Sequence, residues 1–195
     1  MSRVLDLIRA EHRSIAAILH GMQYLMNETR SRGTRIDPAV FRAMLYYLDT
    51  YSDRMHHPKE DRYLFAAMRS RSREAGVIVE ELEREHAGGA AALRDLEQAL
   101  IRYEEGGAKE FPAFAKAVEA FTSGYWDHMQ KEEEKAFPLA EKVLRAEDWK
   151  EIDRAFDENR DPLADQRETQ DFQKLFAKIA NLAPPPIGVG PPART

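Results

Sequence analysis

The chain has 195 residues, 43% of them hydrophobic and 32% charged, and its formal net charge of −5 comes from both signs interspersed along the sequence. That length holds one well-buried domain with a small appendage, and the mix suits amphipathic helices with solvated outer faces. It has no basic patch of the kind nucleic acid requires, and the lack of cysteine excludes disulfides, thiolate metal sites and iron–sulfur clusters.

A first helix is predicted from about Ser2 to Arg30. Leu5, Ile8, His12, Ile15, Leu19, Met22 and Met26 recur at steps of three or four, one face of a helix. Ser31 to Asp37 then reads as a turn, in which Gly33 breaks, Asp37 caps and Pro38 takes the first helical position. A second helix, from about Pro38 to Ser70, places Phe41, Leu45, Leu48, His56, Glu60 and Leu64 near one face. Pro58 lies inside it, and an interior proline removes a backbone bond and clashes one turn back, so a kink or bulge is expected there. Arg69 to Gly76 reads as a polar connection.

The third helix, from about Val77 to Glu105, carries Val79, Leu82, His86, Gly89, Leu93, Leu96 and Leu100, and Gly106-Gly107 ends it. The fourth, from about Lys109 to Arg145, carries Phe114, Val118, Phe121, Tyr125, His128, Glu132, Ala136 and Leu139, with Pro138 a second internal irregularity. Trp149, Ile152, Ala155 and Phe156 suggest a short further helix. Phe172, Leu175, Phe176 and Ile179 suggest a last amphipathic one, packed on the bundle or on a partner. The expected organisation is an all-α, up-down-up-down four-helix bundle over 1–147, a helical appendage over 148–183 and a proline-rich tail over 184–195.

The four long helices are two copies of one hairpin. His12 and His86 are 74 residues apart, His56 and His128 are 72 apart, and so are Glu60 and Glu132. In an antiparallel hairpin, residues equally far from the turn share a height. His12 precedes Ser31 by 19 residues and His56 follows Asp37 by 19, while His86 precedes Glu105 by 19 and His128 follows Lys109 by 19. At 1.5 Å per residue, all four histidines fall at one level roughly 28 Å from the turns.

A lone histidine in an apolar stripe is ordinarily a core histidine with a satisfied hydrogen bond. Here four agree in height and face, and two are followed one turn later by a glutamate, in His56-His-Pro-Lys-Glu60 and His128-Met-Gln-Lys-Glu132. Two buried carboxylates need a countercharge, which a pair of metal ions would supply. Imidazole with carboxylate favours iron, manganese or zinc over calcium or magnesium. The ferritin-like pattern needs Glu-x-x-His on two helices; Glu83-x-x-His86 matches once, but Arg9 stands three before His12, so that subtype is rejected.

Several neighbours read differently. His57 is about 100° around an ideal helix from His56, which puts it behind the ligands or at the surface. His20, eight residues from His12 and about 12 Å along the axis, is too far to share the site. Glu11 and Glu85 read mainly as solvated, with a lesser prospect of supporting a ligand, and Asp61, Glu133 and Glu134 read as outer face. Gly88 and Gly89, within a turn of His86, mark clearance for a small ligand or close helix packing. Tyr125 reads as core.

The ordered set His12, His56-x-x-x-Glu60, His86 and His128-x-x-x-Glu132, with His-His-Pro-Lys-Glu-Asp-x-x-Leu-Phe on the second helix, resembles the hemerythrin-like, or HHE cation-binding, domain over about residues 1–145. The resemblance implies an up-down four-helix bundle holding a bridged non-haem di-iron centre, with those six residues as ligands, and binding or chemistry of dioxygen, nitric oxide or peroxide, or iron handling and sensing. Oxygen carriers of this family have a second histidine four residues after the first on the third helix, where this chain has Ala90. Each iron would then keep an open position unless water or another side chain fills it, which favours redox chemistry or sensing over carriage. The competing expectations are a sensor or storage module acting through a partner, and a structural metal bundle. Met1-Ser-Arg-Val-Leu-Asp6 lacks the apolar run of a secretory signal, and no stretch approaches the ~18 uncharged apolar residues of a membrane span, so the cytoplasm is the expected location.

Overall fold

The four apolar stripes become four long helices that bury them against one another. The computed structural model describes residues 2–33, 35, 37–158, 177, 179–181, 183 and 189. Helix α1 is Arg3–Arg32. Helix α2 is one continuous run made of Pro38–Tyr47, Leu48–His56, His57–Lys59, Glu60–Phe65 and Ala66–Arg71. Helix α3 is Arg73–Gly106. Helix α4 is Phe111–Lys131, Glu132–Ala136 and Phe137–Val143, and α5 is Ala146–Glu158. Each long helix packs on the next, and α4 returns to α1, as in an up-down-up-down bundle. Among the described residues no helix is long and apolar enough to cross a membrane.

The turns follow the local chemistry. Gly33 adopts φ +65° beyond α1, and its N–H reaches Thr29 O at 3.0 Å. Asp37 accepts from the Ala39 N–H at 2.8 Å, with Pro38 opening α2. Gly107 adopts φ +70° after α3, and a short 3-10 turn, Gly107–Glu110, leads into α4. The connection expected over Arg69 to Gly76 shrinks to a single residue. Ser72 alone is extended (φ −152°, ψ 132°), and its Oγ accepts the Ala75 N–H at 3.3 Å to cap α3. The stretch is polar but carries only Gly76 as a breaker, and with Ser72 as cap its arginines and Glu74 extend the two helices instead of interrupting them.

The prolines act as expected. The stretches Leu48–His56, Glu60–Phe65 and Glu132–Ala136 are π-helical, with bonds reaching one residue further than in an α-helix. Pro58 and Pro138 each sit in the first turn after such a stretch. The wider turn relieves the clash of the proline ring with the carbonyl one turn back. Both helices that carry the His-x-x-x-Glu motif are therefore widened beside it.

Two apolar cores lie along the bundle axis. One, at the Asp37 end, gathers Leu19, Met22, Phe41, Met44, Leu96 and Phe114. The other, at the Ser72 end, gathers Leu5, Ile8, Phe65, Leu82, Phe137 and Ala140. Helix α5 closes the second with Ile152 and Phe156, and Arg71 grips Asp148 through Nε and Nη2 at 2.8 and 2.6 Å. Of the last predicted helix, Ile179 is buried on the first core; Phe172, Leu175 and Phe176, like most of the proline-rich tail, lie outside the described residues.

Candidate metal centre

Between the two cores lies a polar layer. His12 and His56 enter it from α1 and α2, His86 and His128 from α3 and α4, and Glu60 and Glu132 lie between them with no exposed surface. The repeat and register argument required this convergence, and the structure brings all six predicted residues together. Glu132 Oε2 lies 3.1 Å from His12 Nε2, and Glu132 Oε1 lies 3.4 Å from His128 Nε2 and 3.8 Å from His86 Nε2. Glu60 Oε2 lies 3.5 Å from His56 Nε2 and 3.8 Å from His86 Nε2. His12, His56, Glu60 and Glu132 each offer a ligand atom within 4.8 Å of the others'.

The hydrogen-bond inventory tests whether the residues suit a cation. Both oxygens of Glu60 and both of Glu132 are buried without a hydrogen-bond partner, and His12 Nε2, although near Glu132, has none of hydrogen-bond geometry. Each orphaned buried acceptor ordinarily costs about 1–3 kcal/mol, so four in one place require compensation. Burial and the charge of Glu132 hold the Glu60 carboxyl well above its ordinary range. Burial acts on Glu132 in the same direction, but His128 and His12 outweigh it and hold Glu132 well below. Burial lowers His128 less than Glu132 and Glu85 raise it, to about 9. Without a cation, protons divided among acids and imidazoles balance the cluster; a metal would replace them. The donor set fits an ion of the iron, manganese or zinc kind.

Four further acids were read from the sequence as mainly solvated or outer-face residues, and the structure assigns them a different place. Each lies behind one histidine and accepts its Nδ1–H. Glu11 faces His56 at 2.7 Å, Asp61 faces His86 at 2.7 Å, Glu85 faces His128 at 2.8 Å and Glu133 faces His12 at 2.8 Å. In the neutral ring a carboxylate on Nδ1 fixes the tautomer, leaving the Nε2 lone pair free for a metal, and raises the basicity of the ring. Each acid is next in sequence to one of the six inward residues but serves a histidine on another helix. The detectable signal was the repeat: Glu11 matches Glu85 beside His12 and His86, and Asp61 matches Glu133 beside Glu60 and Glu132.

The remaining candidates separate cleanly. His20 is exposed, with its ring 4.8 Å from Trp126. His57 is not at the surface: it is buried, and burial pushes its imidazole down to about 3. Ala90 is exposed. Gly88 has open space where a Cβ would be, and a Cβ at Gly89 would make ordinary contact with the Asp53 carboxylate at 3.4 Å, so close packing requires neither glycine. Tyr125 packs on Phe121 and donates its hydroxyl to Asp53 Oδ1 at 3.0 Å. An apolar cavity of about 310 Å³ between α3 and α4 ends on His86 and His128.

No curated protein matches the chain. The family model described as the hemerythrin HHE cation binding domain matches residues 3–140, a span that contains the whole polar layer, the first three long helices and all but the last three residues of α4. The chain therefore belongs to the hemerythrin HHE cation-binding family.

Proposed function

We propose that this bundle holds two iron ions and that the loaded centre binds or reacts with dioxygen, nitric oxide or peroxide. The observation that carries the reading is the set of four partnerless carboxylate oxygens on Glu60 and Glu132, surrounded by four imidazoles whose outer nitrogens are each held by an acid. In this reading His12 and His56 hold one ion, His86 and His128 the other, and Glu60 and Glu132 lie between the two. An iron pair supplies reversible one-electron change at each ion and positions for a small ligand. The chain's own part is to aim the imidazoles, to keep the layer dry between two apolar cores and to admit small molecules by the cavity that reaches His86 and His128. That access favours exchange with a small molecule over a closed structural site.

The test is metal analysis of freshly purified protein together with its visible spectrum, before and after reduction under nitrogen and again in air. Near two irons per chain, with ferric absorption that bleaches on reduction and returns in air, is the expected result. Zinc alone, or no bound metal, refutes the redox reading. A lasting oxygenated spectrum would instead establish carriage.

A further inference from the structure

The cavity between α3 and α4 is larger than the ligands named above require. Its volume is about 310 Å³, roughly ten times the ~30 Å³ share of one water in the liquid. Dioxygen, nitric oxide and peroxide are each little bigger than a water. An apolar cavity of about 150 Å³ is enough to take up benzene. Sites for small organic molecules begin at about 300 Å³ and combine apolar walls with a few placed polar groups.

This cavity has both parts. Phe121 and Tyr125 line it from α4, with their ring centroids 5.0 Å apart. Gly88 and Ala92 on α3, and Ala120 and Gly124 on α4, form an exposed rim. A Cβ at Gly88 or at Gly124 would meet nothing within 4 Å. Glycine inside a helix is destabilising relative to alanine, and packing requires neither residue, so open space is what the two glycines provide. The polar groups lie at the buried end. His86 and His128 close it, with their Nδ1–H groups given to Asp61 and Glu85. Glu85 lines the cavity as well; its Oε2 accepts from His128 at 2.8 Å and its Oε1 accepts from Lys131. A carboxylate has about four lone-pair sites, so Glu85 has capacity for one more donor. Its charge repels an anionic ligand and favours a neutral one.

We propose that the cavity binds a neutral single-ring aromatic molecule with one O–H donor, a phenol or an aromatic alcohol. Its ring packs on Phe121 and Tyr125, and its O–H is directed to Glu85 beside His128. Aromatic rings pair offset or edge-on, and the two rings on α4 offer surfaces for either. The proposal deepens the reading above, since it gives the polar layer an organic ligand next to two of its imidazoles. It rests on that reading only for the use the centre makes of the ligand. The walls and Glu85 belong to the chain itself, so binding is expected with or without metal.

The full-length chain, as purified and after chelation, is titrated with benzyl alcohol, toluene and benzoate while backbone amide signals are followed by NMR. Benzyl alcohol is expected to shift the Gly88 and Gly124 amides and to bind at least about 10-fold more tightly than toluene or benzoate, the size of one hydrogen bond to a charged acceptor. Gly124→Leu and Gly88→Leu fill the cavity from opposite walls, and each should abolish binding; thermal melting of the chelated variants separates that loss from unfolding. Glu85→Gln keeps an acceptor without the charge and should bring benzoate to within a few-fold of benzyl alcohol. Equal binding of all three compounds, no binding of any, or wild-type binding in both leucine variants would overturn the proposal and leave the cavity as a passage for diatomics. Those outcomes leave the metal analysis untouched. A chain that holds no metal but still binds benzyl alcohol in this pattern supports the cavity site and refutes the iron reading alone.

Discussion

Replacing Glu60 by methionine should move stability in opposite directions with and without metal. Glu60 has no exposed surface, and both its carboxyl oxygens are buried without partners. Methionine has similar length and no hydrogen-bonding need, and it adapts to irregular space. Removing two orphaned acceptors, at about 1–3 kcal/mol each, and discounting about half for imperfect packing of the thioether, gives an expected gain of about 2 kcal/mol in the metal-free protein. For a chain of this size that is a rise in Tm of about 4–8 °C. In excess metal the wild type gains stability by linkage, about 4 kcal/mol when free metal is a thousand times Kd, and the variant should lose most of that gain. The order of Tm values therefore inverts. Calorimetry or thermal circular dichroism with chelator and with ferrous iron under nitrogen reads both limits. If Glu60→Met lowers the Tm of the chelated protein by several degrees, as an ordinary core substitution does, the carboxylate is holding the fold and the reasoning is wrong.

The other expectations concern single contacts. His128→Ala should bind less than half the wild-type metal while His20→Ala, changed outside the polar layer, binds the normal amount; equal content in the two purified variants would sink the ligand assignment. Glu133→Gln, which weakens the acceptor behind His12, should lower metal affinity by roughly 10–100-fold with little change in the Tm of the chelated protein; a competition titration against a coloured chelator decides it. Ser72→Ala removes the side-chain cap of α3 and should cost about 1 kcal/mol, seen as a lower urea midpoint at unchanged slope. Phe156→Ala, which opens the second core beneath α5, should cost about 3–5 kcal/mol, and a loss under 1 kcal/mol would mean that α5 contributes little to the bundle.

The periodic part of the sequence carried most of this molecule. Apolar steps of three and four located four helices, and the 72- and 74-residue repeat with its register placed His12, His56, Glu60, His86, His128 and Glu132 at one level, where the structure has them. Three things were not legible. The position of His57 was judged on an ideal helix, where adjacent residues stand about 100° apart, but α2 is π-helical on both sides of it. A wider turn carries one more residue, so the angular step is smaller and two neighbouring histidines can both face inward. The four acids behind the histidines sit beside inward residues on their own helices and reach across to another helix. A helical wheel treats each helix alone and cannot represent a bond of that kind. Ser72 was missed for a simpler reason: a single capping serine inside a charged run resembles a loop until its own bond is seen.

The acids behind the histidines form a directed circuit. Glu11 on α1 serves α2, Asp61 on α2 serves α3, Glu85 on α3 serves α4, and Glu133 on α4 serves α1. Such a circuit follows the helices in chain order and closes from the last onto the first, so it has no first member. Either hairpin alone retains one link, Glu11 with His56 or Glu85 with His128, and carries both halves of a missing one. Asp61 in the first hairpin awaits a histidine placed like His86, and His12 in that same hairpin awaits an acid placed like Glu133. Two copies of one hairpin, related by a two-fold axis, could thus close all four links between them. The repeat therefore has the layout of a symmetric dimer inside a single chain, with Ser72 as the one residue between its two hairpins.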